Sequence, residues 1–167
     1  MRNTGLKLAM LLAIFSASSQ AQVGGTDAEE NYDKRVKIAL QETDFNYEID
    51  EDGDFKLVME FDDARSQVVY VSTRTYRLEH LEIREVWSIG HVSDTQLSAE
   101  LANQFLSESS DMILGGWEQQ TWGDQQVVIF RAKMSANASG ETLASAIGAV
   151  SQTADDIEKE LVGTDEL

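Results

Sequence analysis

Carboxylates are the most numerous side chains here that could do chemistry, and Gly53 sits among the densest group of them. Placing Gly53 at the sixth position of a calcium loop puts Glu48, Asp50 and Asp52 at positions one, three and five, where the ion takes oxygen ligands. The twelfth position, which needs a bidentate Glu to close the shell, is then Met59. The flanks alternate like strands and not helices, so the reading is an acidic hairpin turn. Asp155, Asp156 and Glu158 form a second carboxylate group. They follow an apolar helical stripe and are expected on its solvated flank, whereas acid–base work would want burial to move a pKa. His80 and His91 are the two histidines and there is no Cys, so zinc would need both histidines to meet beside carboxylates. Each is expected to be solvated instead. No Gly-x-Ser-x-Gly elbow is present. Gly115-Gly116 belongs to no Walker pattern and has no helix after it, so it makes room for a strand start or bulge. These residues lead to the expectation of no catalytic residue, no metal and no cofactor.

Aromatic residues are the better candidates for recognition. Of Trp87, Trp117 and Trp122, Trp122 lies at a turn and is expected to be partly exposed. Trp122 and Trp117 are therefore the candidate partner-binding residues, since aromatics at strand ends serve as core anchors or as interface hot spots. Trp87 shares a strand face with Ile83 and Ile89, which favours the core.

The elements that position these residues follow from hydrophobic period. Leu143, Ile147, Val150, Ala154, Ile157 and Leu161 recur at alternating steps of four and three. That spacing draws one apolar stripe along a long helix, with Ser139 as N-cap, Gly163 as C′ stop and Lys159 in the last turn. Ala144, Gly148 and Ser151 form a lane of small residues beside the stripe. The hairpin before it runs Leu114–Thr121, a turn over Trp122-Gly123-Asp124, then Gln125–Met134, with Val128, Phe130, Ala132 and Met134 on one side. Thr26 and Glu29 fit a capping box for a first helix ending near Gln41. Phe45, Tyr47 and Ile49, then Phe55, Leu57, Met59 and Phe61, alternate around Asp52-Gly53 as a β-hairpin. Gln67–Tyr76 reads as a central third strand, and Leu81, Ile83, Trp87 and Ile89 as further strand, with Arg77–His80 either a turn or a bend. Ser93 to Gln96 suggests a cap for a helix carrying Leu97, Leu101, Phe105 and Leu106. The result is an α+β domain: a mostly antiparallel sheet with flanking helices in the order α-β-β-β-α-β-β-α.

The chain has 167 residues, enough for one domain. Residues 1–21 read as a secretory signal peptide: a cationic start with Arg2 and Lys7, an apolar run Leu8–Phe15, and Ser19 and Ala21 before the cleavage point. That run is too short to span a bilayer. Residues 22–25 are expected to be a flexible mature N-terminus, 26–163 the domain, and 164–167 a solvated acidic tail. With 13 Lys+Arg against 30 Asp+Glu the net charge is −17; without Arg2 and Lys7 it is −19. Such a surface repels nucleic acid and anionic lipid and suits cationic partners. The absence of Cys, with the leader, points to a bacterial periplasm. Asn137-Ala138-Ser139 is a glycosylation sequon only in a eukaryotic host.

The helix followed by the acidic strand–turn–strand from Phe45 to Phe55 resembles the YbjN-like family, whose fold is that of type III secretion chaperones. So do the helix around Leu101 to Asn103 and the closing helix with Ser139 to Leu143 and Ala154 to Ile157. The resemblance covers about Thr26 to Gly163. It implies a chaperone-like fold and brings no active site with it. A leader peptide would set this chain apart, because secretion chaperones work in the cytoplasm, and a shared fold does not import function. The expected function is a non-enzymatic protein-binding or chaperone-like module, acting on a protein partner or as a homodimer and free of the membrane after cleavage. The alternative is a small envelope enzyme or enzyme inhibitor.

Overall fold

A computed structural model describes residues 30–62 and 64–167. The signal peptide, residues 22–25 and the Thr26–Glu29 cap lie outside the described residues. Asn31–Leu167 forms one unit. Its elements are α1 (Lys34–Leu40), β1 (Glu48–Ile49), β2 (Phe55–Glu60), β3 (Ser66–Leu78), β4 (Leu81–Ser93), α2 (Ala99–Asp111), β5 (Gly116–Trp122), β6 (Gln125–Ser135) and α3 (Gly140–Leu161). The strands form a six-stranded sheet in the order β1-β2-β3-β4-β6-β5, antiparallel at every pairing. The fold is α+β, as the patterning implied.

The α3 stripe forms as its period requires. Leu143, Ile147, Val150, Ala154 and Ile157 are all at most 5% exposed, and the helix lies across β3, β4 and β6. Ser139 caps it by accepting from the Thr142 amide at 3.3 Å, and Gly163 takes φ +78° just past its end. The small-residue lane is mixed: Ser151 is buried, while a Cβ on Gly148 would meet nothing within 4 Å. The close approaches are elsewhere. A Cβ on Gly140 would lie 2.5 Å from the Ala39 carbonyl, where α1 meets α3, and one on Gly90 would lie 2.7 Å from the Trp117 ring.

Two boundaries differ from the sequence reading. The first helix starts at Lys34, capped by Asp33, whose carboxylate accepts from the Arg35 amide at 2.9 Å. The second starts at Ala99 with Ser98 as cap, because β4 continues to Ser93, where it pairs with Gln126. Arg77–His80 resolves into strand and turn: Leu78 pairs with Leu81 across a two-residue turn of Glu79 and His80. Tertiary pairing also trims the first hairpin, where only Glu48 and Ile49 join the ladder. Phe45 and Tyr47 pack against the core without it.

Candidate partner-binding surface

The β5–β6 hairpin closes on Gly123 and Asp124, with Trp122 opposite Gln125 and Gly123 at φ +60°. Residues facing each other across a two-residue hairpin exchange both backbone bonds, and the direction alternates along the strand. Trp117, Gln119 and Thr121 therefore turn their backbone groups away from β6. The Trp117 amide donates to Ser109 Oγ of α2 at 2.8 Å. Beyond it, Gln119 and Thr121 form an outer edge of the sheet, a row unpaired among the described residues to which another strand can add.

On the sheet face away from the helices, this edge borders an aromatic shelf. Tyr70 and Trp87, opposite each other in β3 and β4, stack at 4.3 Å between centroids. Trp122 meets Trp87 edge-on at 6.1 Å and is 41% exposed. Trp87 thus lies half-buried on this face and outside the helix-side core, since it alternates with the buried Val86 and Ser88. Its Nε1 donates to Ser72 Oγ at 3.3 Å. Arg131 lies over the Trp87 ring at 5.9 Å, pairs with Glu85, and donates through Nε to Glu118 at 2.9 Å. Lys133 joins Glu118 at 3.2 Å.

On the helix face the same strand borders an apolar cleft. Trp117 is 9% exposed and sits in the core, between Phe105 and Phe130, each at 5.1 Å. Its Nε1 donates to Glu108 Oε2 at 3.0 Å. Of the two candidate partner-binding tryptophans, Trp117 is thus mostly buried: the side chains of β5 alternate, so Trp117 points under α2 while Trp122 points to the other face. Leu97, Ala102, Phe105, Leu106, Trp117 and Val128 line a half-open cleft of about 180 Å³ there.

Asp155 and Glu158 are 3% and 0% exposed, which overturns their reading as a solvated flank; Asp156 alone of the three is exposed. Arg65 lies between them, its Nε on Asp155 at 2.7 Å and Nη2 on Glu158 at 2.9 Å. The hydrogen bond to Asp155, against the cost of burial, raises the Arg65 pKa above its usual value. The acidic tail folds onto this pair and is not simply solvated. Thr164 O accepts from Arg65 at 3.0 Å, Asp165 accepts from the Ser66 amide at 3.0 Å, and the Glu166 amide donates to Glu158 at 2.6 Å. The Asp155, Glu158 and Asp165 oxygens are close enough to suggest a cation, but the guanidinium already supplies the positive charge.

The other candidates serve the backbone. Asp50 Oδ1 accepts from the Asp52 and Asp54 amides at 3.0 and 2.9 Å. Asp54 accepts from the Thr73 amide at 2.7 Å, and burial pushes its pKa up. Gly115, at φ +85°, stands just before β5, where a Cβ would lie 2.3 Å from the Arg131 carbonyl. His80 is exposed in the β3–β4 turn, while His91 is half-buried near the far end of β4, with its pKa lowered by burial. Strand rise separates them by roughly 30 Å, so they share no site.

One ionic knot escaped the sequence reading. Glu82 takes both forks of Arg35, at 2.8 and 3.1 Å, and the Thr75 hydroxyl at 2.8 Å. These bonds, led by Arg35, hold its pKa at about 2. Burial alone would raise the Asp33 pKa, but hydrogen bonds from Arg35 and Arg84 outweigh it and hold Asp33 well below the usual carboxylate range. Arg84, 2% exposed, also donates to the Ser72 and Thr73 carbonyls, freed where the β3–β4 register shifts. No sequence signal links these residues, because they meet only through tertiary pairing.

No helix of the described residues is long and apolar enough to cross a membrane. No family model, curated protein or solved structure matches the chain.

Proposed function

We propose that the chain is a non-enzymatic, chaperone-like module of the YbjN-like kind, exported to the bacterial periplasm, that binds an extended segment of a protein partner along β5. The observation that carries this reading is Trp122, 41% exposed, standing beside the outer edge of β5, which is unpaired among the described residues. Strand addition uses such an edge, with main-chain bonds for affinity and flanking side-chain contacts for specificity. An exposed aromatic that is already braced by other rings loses little freedom when a partner covers it. The acidic surface selects cationic partners.

The test is crosslinking in the periplasm with a photoreactive residue in place of Trp122, beside sedimentation of the purified mature protein. A specific crosslinked partner supports the reading, and a crosslinked second copy with a dimer in sedimentation makes that partner the chain itself. A strict monomer with no specific crosslink removes it. In the same cells export predicts that the chain begins at Gln22; an intact Met1 form in the cytoplasm removes the location.

A further inference from the structure

We infer that the cleft between α2 and β5 is a specificity pocket for one large apolar side chain of a segment that carries Lys or Arg on both sides of it. This rests on the reading of β5 as the binding edge. Three observations on the cleft support it.

The first is size. At about 180 Å³ the cleft falls below the ~300–1,000 Å³ typical of small-molecule sites, and it is large enough to seat a side chain. The second is chemistry. Leu97, Ala102, Phe105, Leu106, Trp117 and Val128 make its lining mostly carbon, with Glu118 and Gln119 the polar part of it, and Leu106 is 67% exposed at its lip. A surface leucine beside a half-open apolar cleft leaves carbon in contact with water that an incoming side chain would release. The third is charge. α2 carries Glu100, Glu108 and Asp111 and β5 carries Glu118, and neither element holds a basic residue; Glu108 stands at the cleft through its bond from Trp117, and Glu118 is part of the lining. Glu118 is matched by Arg131 and Lys133. Among the described residues Glu108 accepts from neutral donors, the Trp117 indole and the Gln104 amide, which leave its charge uncompensated. A neutral or acidic segment would leave that field unanswered, whereas a basic one completes it. The occupant is therefore a cationic protein segment.

Alternation sets the geometry. In a strand added to β5, successive side chains point to opposite faces. One residue enters the cleft under α2, and its neighbours pass over the Trp122 side.

The probes are fluorescein-labelled seven-residue peptides of Thr and Val with a central Leu and a Lys two residues before and after it, so that both Lys share its face. Companion peptides have a central Ala, or Glu in place of both Lys. The mature chain should bind the Leu-centred, Lys-flanked peptide at least about tenfold more tightly than either companion, a difference of about 1.4 kcal/mol. Leu106→Gln changes an exposed, uncharged position, so its melting temperature should stay near that of the parent. It should bring the Leu-centred peptide down to the level of the Ala-centred one. Trp122→Ala should weaken all peptides by a common factor. Equal binding of Leu- and Ala-centred peptides, an unchanged affinity in Leu106→Gln, or no binding of any peptide overturns the pocket. If Trp122 still crosslinks a partner in cells, strand-edge binding survives that result; if crosslinking is silent as well, both fall.

Discussion

Glu82 is the residue whose protonation should report most directly on the fold. Its folded pKa is lowered from 4.5 to about 2, so between those values the unfolded chain binds the proton more readily. Stability from this carboxylate is then fully present above about pH 4.5 and is lost as the pH falls through about 2. Glu82→Gln removes that dependence. Urea midpoints of the parent should drop further than those of the variant between about pH 5 and about pH 3; parallel curves would show that the Arg35 fork adds nothing. None of this knot is visible in sequence, since Glu82 is 47 residues from Arg35 and lies in no local pattern. Asp155 and Glu158 teach a related lesson. They sit beside Ala154 and Ile157 on α3, at the border of the apolar stripe, where a helical pattern alone leaves burial undecided. Their burial depends on Arg65, 90 residues away from Asp155, and a buried carboxylate without such a partner would be costly.

At the scale of elements, α3 tests the reading of period as packing. Ile147 is 0% exposed and Ile157 is 5% exposed, so Ile→Ala at either should cost ~2–5 kcal/mol. Gln152→Ala, on the exposed face, should stay within about 0.5 kcal/mol. Denaturant midpoints that fall equally for all three would mean that the stripe does not face the sheet. Ser151, beside the stripe, is also buried and bonds back to the Gly148 carbonyl at 3.0 Å, so it makes a poor surface control. The long helix and the β5–β6 hairpin were legible because their signals are local: apolar spacing, a serine cap, a glycine past the end, a tight turn. The ends of β4 and the short β1 were not legible, because strand length is decided by the partner strand. Gly90 carries no motif at all, yet it gives Trp117 its place beneath α2, and with it the cleft. The turn marked Trp122 as the exposed tryptophan, as its 41% exposure bears out, but the pattern of one strand could not say that α2 would cover Trp117.

At the scale of the molecule, α1, α2 and α3 pack on one face of the sheet and leave Tyr70, Trp87 and Trp122 on the other. A net charge of −17 makes electrostatics act on encounter before it acts on the final contact. Charges at the rim of an interface mainly change association rate and its salt dependence, and buried apolar contacts mainly change dissociation. Glu100 and Asp111 are both exposed on α2, so their charge reaches an approaching segment through solvent. The double variant Glu100→Gln/Asp111→Asn should slow association with the Lys-flanked peptide at low ionic strength and flatten the fall in rate as salt is added. Dissociation should be unchanged. Leu106→Gln should do the opposite, speeding dissociation and sparing the salt slope. Stopped-flow fluorescence across ionic strengths, up to where the Debye length is about 8 Å, separates the two effects. An unchanged salt slope in the double variant would mean that the carboxylates of α2 play no part in choosing the partner.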